Sequence, residues 1–312
     1  MNTLTTVALA TGAAAAAALA LTGCSVDFGT HRETRAYDVR DAVTTVKLSS
    51  SNGRVEIVGS DSPGVHVQER LRWSNSRNKP APRHSVAGGT LTLGASCGHT
   101  VLGPSACQIT YRLRVPRGLA VQVTTEDGAI ETTGLGGRLT LRTDTGSITA
   151  RDLRAPALSA RTEDGSIRIS GRADTADLTT DTGGISATAL RAGRLTARTA
   201  DGGIRLTGHA DTADLTTDTG RIDAAELRSR RLDARTADGG MRITLTAPPD
   251  SVRARTDTGP IRLTLPAEQS YAITMDSDTG ARRIEPGVHN DNRSSRQVNL
   301  RTGDGSITVA AA

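Results

Sequence analysis

The residues best able to do chemistry in this chain are aspartates set beside glycines. Asp144-Thr145-Gly146 is the tripeptide that carries the catalytic carboxylate of aspartic proteases, in which two acids share one proton. Here Asp-Thr-Gly occurs five times, starting at Asp144, Asp181, Asp218, Asp257 and Asp278. Asp-Gly steps at Asp127, Asp164, Asp201 and Asp238 alternate with it. A shared proton needs two converging loops, whereas an evenly spaced series describes a structural ladder. Calcium on stacked aspartates is a second chemistry. The Gly-Gly-x-Gly-x-Asp coil pattern is absent, however, and Arg142 and Arg161 stand close by in the sequence. A third is polysaccharide cleavage, performed on some parallel β-helices by clustered carboxylates or basic residues beside aromatic sugar platforms. Residues 128–265 contain no Phe, Trp or Tyr. The histidines (His31, His66, His84, His99, His209, His289) are scattered without ligand spacing. The expectation is no catalytic residue, no metal and no cofactor, with a carbohydrate-active enzyme and a calcium-stabilised rod as the alternatives.

What must position these aspartates is a repeat. Its glycines fall at Gly128, Gly146, Gly165, Gly183, Gly202, Gly220 and Gly239, at spacings of 18, 19, 18, 19, 18 and 19. A further copy at Gly259, looser ones at Gly280 and Gly305, and an early SNGRVEI copy at Gly53 extend the series. Self-similarity at such a period marks a solenoid. Seven, five and three residues before the glycine stand sets such as Leu139/Leu141/Thr143 and Leu195/Ala197/Thr199, with Thr140/Arg142 and Thr196/Arg198 between them. That period-two alternation is a strand with one face buried. A second strand follows the glycine, with Ile148/Ala150 and Ile204/Leu206 inward. The fold expected is all-β, a right-handed, single-stranded parallel β-helix (β-solenoid) of 18–19-residue coils. A leucine-rich repeat lacks its consensus here, and near-identity of the two halves of each 37-residue pair argues against propeller blades.

The corner itself has an expected chemistry. Glycine supplies a left-handed turn conformation, aspartate accepts hydrogen bonds from its own turn backbone, and a threonine column satisfies corner amides. Staggering between Asp144, Asp181 and Asp218 on one side and Asp164, Asp201 and Asp238 on the other keeps like charges from stacking, while outward arginines pair with carboxylates across coils.

Residues 1–23 form an uncharged Ala/Leu-rich stretch, too short before polar sequence to be read as a spanning helix and expected to be a secretory signal. Leu21-Thr22-Gly23-Cys24 resembles a bacterial lipobox, and the resemblance implies that Cys24 is the lipidated mature N-terminus, held at the extracytoplasmic face of the membrane. Residues 24–42 are then a tether, 43–124 an opening β-segment or cap, and 125–312 the repeat. Cys97 and Cys107 lie ten residues apart in a Gly-rich stretch, and in an oxidising compartment they are expected to form a disulfide. Aromatics make up 2% of residues, so small aliphatic side chains must fill a narrow interior. No basic cluster with interleaved aromatics suggests a nucleic-acid surface.

The stretch YRLRVPRGLAVQVTTEDGAIE, with its Val115-Pro116-Arg117-Gly118 step, followed by strand–Asp-Gly–strand units, resembles the bacterial putative-adhesin family, domain of unknown function 4097. The resemblance implies an exported or membrane-attached β-solenoid without catalytic residues. The function expected is a surface-displayed, lipid-anchored, adhesin-like or envelope-associated protein with an interaction or structural role.

Overall fold

The computed structural model describes residues 30–74, 78–97 and 107–312. Residues 1–23, expected to be a secretory signal, and Cys24 lie outside them. The described chain forms 24 strands and no α-helix, and successive coils pair in parallel, as a β-solenoid requires. Leu139 pairs with Leu158, Leu158 with Ala176, Ala176 with Leu195, Leu195 with Ala213 and Ala213 with Leu232. A continuous aliphatic column results, every member 2% exposed or less.

Size alternates along the two inward columns of the first strand, in step with the 37-residue pairing of coils. Where Leu158, Leu195 and Leu232 are large, their coil-mates Ala160, Ala197 and Ala234 are small; the coils between reverse the order with Ala176/Leu178 and Ala213/Leu215. Large side chains therefore pack over small ones from coil to coil, which fills a narrow bore without aromatic rings. Each buried leucine contributes roughly 1.5–3 kcal/mol. The extra residue of the longer coils sits at the corner after the second strand. There the ladder shifts register between Ala150 and Leu153, and between Ala187 and Leu190.

The stack begins before the regular repeat. Thr45–Ser50 and Val55–Ser60 form a coil that pairs with Ala120–Thr125 and Ile130–Thr133 on one side. On its other side lie Thr90–Ser96 and Cys107–Pro116. This outermost coil carries the Cys97–Cys107 disulfide, with a Cα–Cα distance of 6.0 Å. Antiparallel strands then extend its edges: Val65–Trp73 on Cys107–Pro116, His31–Val39 on Val65–Trp73, and Ala81–Ala87 on Thr90–Ser96. The parallel stack ends here, its outermost coil covered at the edges by strands of reversed direction.

At the C-terminal end the coils do not follow chain order. The Gly259 coil pairs with Gln297–Asp304 and Ile307–Ala311, the last strands of the chain. The earlier strands Ser270–Ser277 and Arg282–Ile284 lie outside those. The Gly280 and Gly305 copies are thus stacked in inverse order. The chain passes outward, forms the terminal coil, and returns to fill the layer beneath it.

Candidate functional site

The stacked corners place Asp144, Asp164, Asp181, Asp201, Asp218 and Asp238 along one edge of the solenoid, beside Gly146, Gly165, Gly183, Gly202, Gly220 and Gly239. The glycines do not adopt the left-handed conformation expected of them. Their need for hydrogen in place of a side chain comes from the neighbouring coil instead. A Cβ on Gly146 would meet the carbonyl of Gly128, one on Gly165 that of Gly146, and one on Gly183 that of Gly165. Threonine completes the corner: Thr180 Oγ1 donates to Gly165 O at 2.8 Å and accepts the Gly183 amide at 3.2 Å.

The aspartates divide into two roles, neither of them the expected cap of the residue's own turn. Those directly before glycine accept a hydroxyl from the adjacent coil: Thr145 to Asp127 at 2.9 Å, Thr182 to Asp164 at 3.0 Å, Thr219 to Asp201 at 3.1 Å and Thr258 to Asp238 at 2.7 Å. The alternation of Asp-Thr-Gly with Asp-Gly is this donor–acceptor pairing. Asp144, Asp181 and Asp218, one position earlier, make no side-chain hydrogen bond among the described residues. Glu126, Asp144, Glu163 and Asp181 do stack on successive coils, as the amides of Asp144, Glu163 and Asp181 each bond the preceding member's carbonyl. Staggering therefore separates only one of the two columns. Of the outward arginines, Arg142 reaches a carboxylate on the next coil, with Nη2 4.0 Å from Glu163 Oε1. These aspartates are a ladder along an exposed edge, and nothing converges on any one of them.

No group of three His, Cys, Asp or Glu among the described residues could hold a metal ion. Near the N-terminal cap, His66 Nδ1 lies 2.8 Å from Asp38 Oδ1 in a recess that includes Ser60 and Ser62. The two side chains are 46% and 69% exposed. Ser60 Oγ instead accepts the Ser62 amide at 3.1 Å. The pair is a cross-strand contact in the Asp38–His66–Arg114 row.

One concave feature escaped the reading of the aspartates. Along the corner after the second strand runs an open cleft of about 1130 Å³, lined by Arg117, Leu153, Arg154, Pro156, Arg172 and Arg191 among others. The bulged coils turn here through non-glycine residues in the left-handed region, Asp152 (φ 53°), Ala189 (φ 49°) and Glu226 (φ 49°). The coils between them turn through Gly171 and Gly208 (φ 112° each). Each such non-glycine residue costs of order 1–2 kcal/mol, and the bulge it serves sets the arginine that follows on the outer face. Arg117 closes one end, its Nε 2.7 Å from Asp61 Oδ1 and its Nη1 donating to Gly134 O at 3.0 Å. The Arg117 hydrogen bond holds the Asp61 carboxyl below its usual range.

The sequence matches the profile of a family described as Toastrack DUF4097, over residues 43–219 and 172–311. The chain belongs to the Toastrack family. No curated protein matches it. Among solved structures, a crystal structure titled "putative adhesin" from Parabacteroides merdae ATCC 43184 superposes with a TM-score of 0.52 at 14% identity, covering 90% of this chain and 96% of that one. Another, titled "Putative lipid binding protein", from Parabacteroides distasonis ATCC 8503, gives 0.47 at 15% identity, covering 89% and 96%. At 14% identity the likeness to the Parabacteroides merdae structure is one of fold. The Toastrack coils carry the aspartate ladder at one corner and the arginine-lined cleft at another.

Proposed function

We propose that the protein is a non-catalytic binding module, an adhesin-like solenoid held at the outer face of the cell membrane by lipid on Cys24. The observation that carries this reading is the columnar surface. Outward groups recur at coil spacing along the rod, so the molecule offers a series of equivalent weak contacts, which together bind by avidity. The "putative adhesin" title of the Parabacteroides merdae structure and the lipobox-like Leu21-Thr22-Gly23-Cys24 support the same role and place. A multiply acylated cysteine is a durable anchor, since each buried CH₂ contributes about 0.8 kcal/mol.

Fractionation of cells carrying Cys24→Ala, with the intact mass of the protein, tests the anchor. Loss of the lipid mass and release from the membrane are expected; an unchanged mass and unchanged membrane retention would overturn it. Protease shaving of intact cells tests display, and complete protection of the wild-type chain in cells with a permeable outer layer would refute it.

A further inference from the structure

We propose that the N-terminal cap seats on the anionic headgroups of the membrane that carries the anchor, through Arg32, Arg70 and Arg72. The assignment rests on the lipidation of Cys24 and names the surface that the anchored protein touches.

Chain length sets the reach. His31–Val39 is the first strand of the cap. Six Cα–Cα steps separate Thr30 from Cys24, at most about 22 Å when fully extended. The rod is much longer. Thirteen strand steps lead from His31–Val39 to Arg282–Ile284 through one continuous sheet, roughly 60 Å at the usual strand spacing. His31–Val39 is the end strand of that sheet, paired on one side only, with Val65–Trp73. Lipid on Cys24 therefore keeps the cap close to the bilayer, whatever the tilt of the rod.

The residues at that end suit phosphate. Arg32 stands directly opposite Arg72 in the antiparallel pair, and Thr34 opposite Arg70. The three arginines are exposed on the outer face of the sheet, and none has a carboxylate within 4.0 Å among the described residues. Like charges directly opposite one another destabilise a strand pair, so Arg32 and Arg72 cost stability unless an anion lies between them. Guanidinium matches phosphate in geometry as well as charge. Behind the patch, Arg112 and Arg54 are held by acids, with Arg112 Nε 2.8 Å from Glu56 Oε2 and Arg54 Nη1 3.7 Å from Glu131 Oε1. Further cations gather at the same strand ends. Trp73 stacks on His31 at 5.5 Å, and Lys79 Nζ lies 5.0 Å from the indole centroid and 2.9 Å from Glu33. Arginines recur farther along the rod, at Arg205 and Arg242, and would reach the bilayer only if the rod lay flat. The row of Glu126, Asp144, Glu163 and Asp181 on successive coils is repelled by an anionic surface and opposes that pose. Contact is thus confined to the cap, and the far end projects.

The test uses Trp73, the only tryptophan of the chain. The lipidated protein is reconstituted into phosphatidylglycerol vesicles carrying a short-range nitroxide quencher on the headgroups. Trp73 should be quenched, and salt should reduce the quenching while the protein stays in the vesicles. A tryptophan moved to the far end, by Trp73→Phe with Arg283→Trp, should escape it. Arg32→Glu should lower the seating equilibrium read from the quenching about fivefold, the partitioning that one juxtamembrane arginine supplies. The same substitution should raise the Tm in neutral detergent, because Glu opposite Arg72 turns a repulsive pair into an attractive one. A merely structural role for Arg32 would not move the two readouts in opposite senses. A lipidated chain whose Trp73 is not quenched, equal quenching at both ends, or an Arg32→Glu variant quenched like the wild type would overturn this inference and leave the anchor standing. A chain without lipid mass on Cys24 would overturn the anchor, and this inference with it.

Discussion

Gly183 and Gly184 are adjacent in the chain and should respond very differently to the same substitution. A Cβ on Gly183 falls on the carbonyl group of Gly165 and is 3.0 Å from the Ser166 amide nitrogen, all of it backbone that cannot swing aside. A Cβ on Gly184 meets only Gly203 O, at 3.4 Å. Overpacking a closed site costs about 1–3 kcal/mol. Prising the two coils apart also weakens the Thr180 bonds to Gly165 O and from the Gly183 amide, each worth about 1 kcal/mol. Gly183→Ala should therefore destabilise the protein by about 3 kcal/mol, a fall in Tm of roughly 6 °C or more. Gly184→Ala should stay within about 1 kcal/mol of the wild type, on the favourable side if chain entropy dominates. Gly183→Asn separates close approach from turn conformation, because asparagine tolerates a left-handed backbone but brings the same Cβ. Close approach requires Asn to be as damaging as Ala. Thermal and urea unfolding followed by far-ultraviolet circular dichroism measures all three. If Gly183→Asn melts like the wild type, or if Gly183→Ala and Gly184→Ala are indistinguishable, the argument from coil contact is refuted.

Other expectations follow from the same contacts. Thr180→Val keeps the shape but leaves the Gly183 amide without its acceptor, and urea unfolding should report a loss of about 1–3 kcal/mol. Reducing the Cys97–Cys107 disulfide frees a short closed loop and should cost about 2–4 kcal/mol; an unchanged Tm in dithiothreitol would contradict it. Tyr37 donates to the buried Glu69 at 2.9 Å, and burial, with Glu69 beside it, pushes its phenol above the ordinary 10.0. The folded state therefore holds this proton where the unfolded chain releases it, so its contribution is complete below a pH of about 10 and lost above it. Stability should fall with pH in that range, and Tyr37→Phe should make the fall shallower while lowering stability near neutrality.

The solenoid was legible because its cause is local. Leu139, Leu141 and Thr143 alternate with polar residues, and the glycine spacing counts the coil. The reason for the glycines was not legible, because the atom that excludes a Cβ from Gly183 belongs to Gly165, eighteen residues earlier. The partner of Asp164 was hidden in the same way, since Thr182 meets it only after a full turn. Local turn rules therefore assigned both residues the wrong cause at the right position. The arginines lining the cleft were obscured by the extra residue in alternate coils: Arg154 and Arg191 follow their glycine by eight residues, Arg172 by seven. Chain order at the end was illegible altogether, since nothing in the Gly280 and Gly305 copies says which lies outside.

That inversion has a mechanical consequence. A chain whose last coil is outermost can be peeled from its end, one ladder at a time. Here Gln297–Asp304 and Ile307–Ala311 are clamped between the Gly259 coil and the strands Ser270–Ser277 and Arg282–Ile284. Tension on the C-terminus must draw them out from between two layers, loading both ladders together. Drawing these strands out breaks two ladders at once, where peeling an outermost coil breaks one.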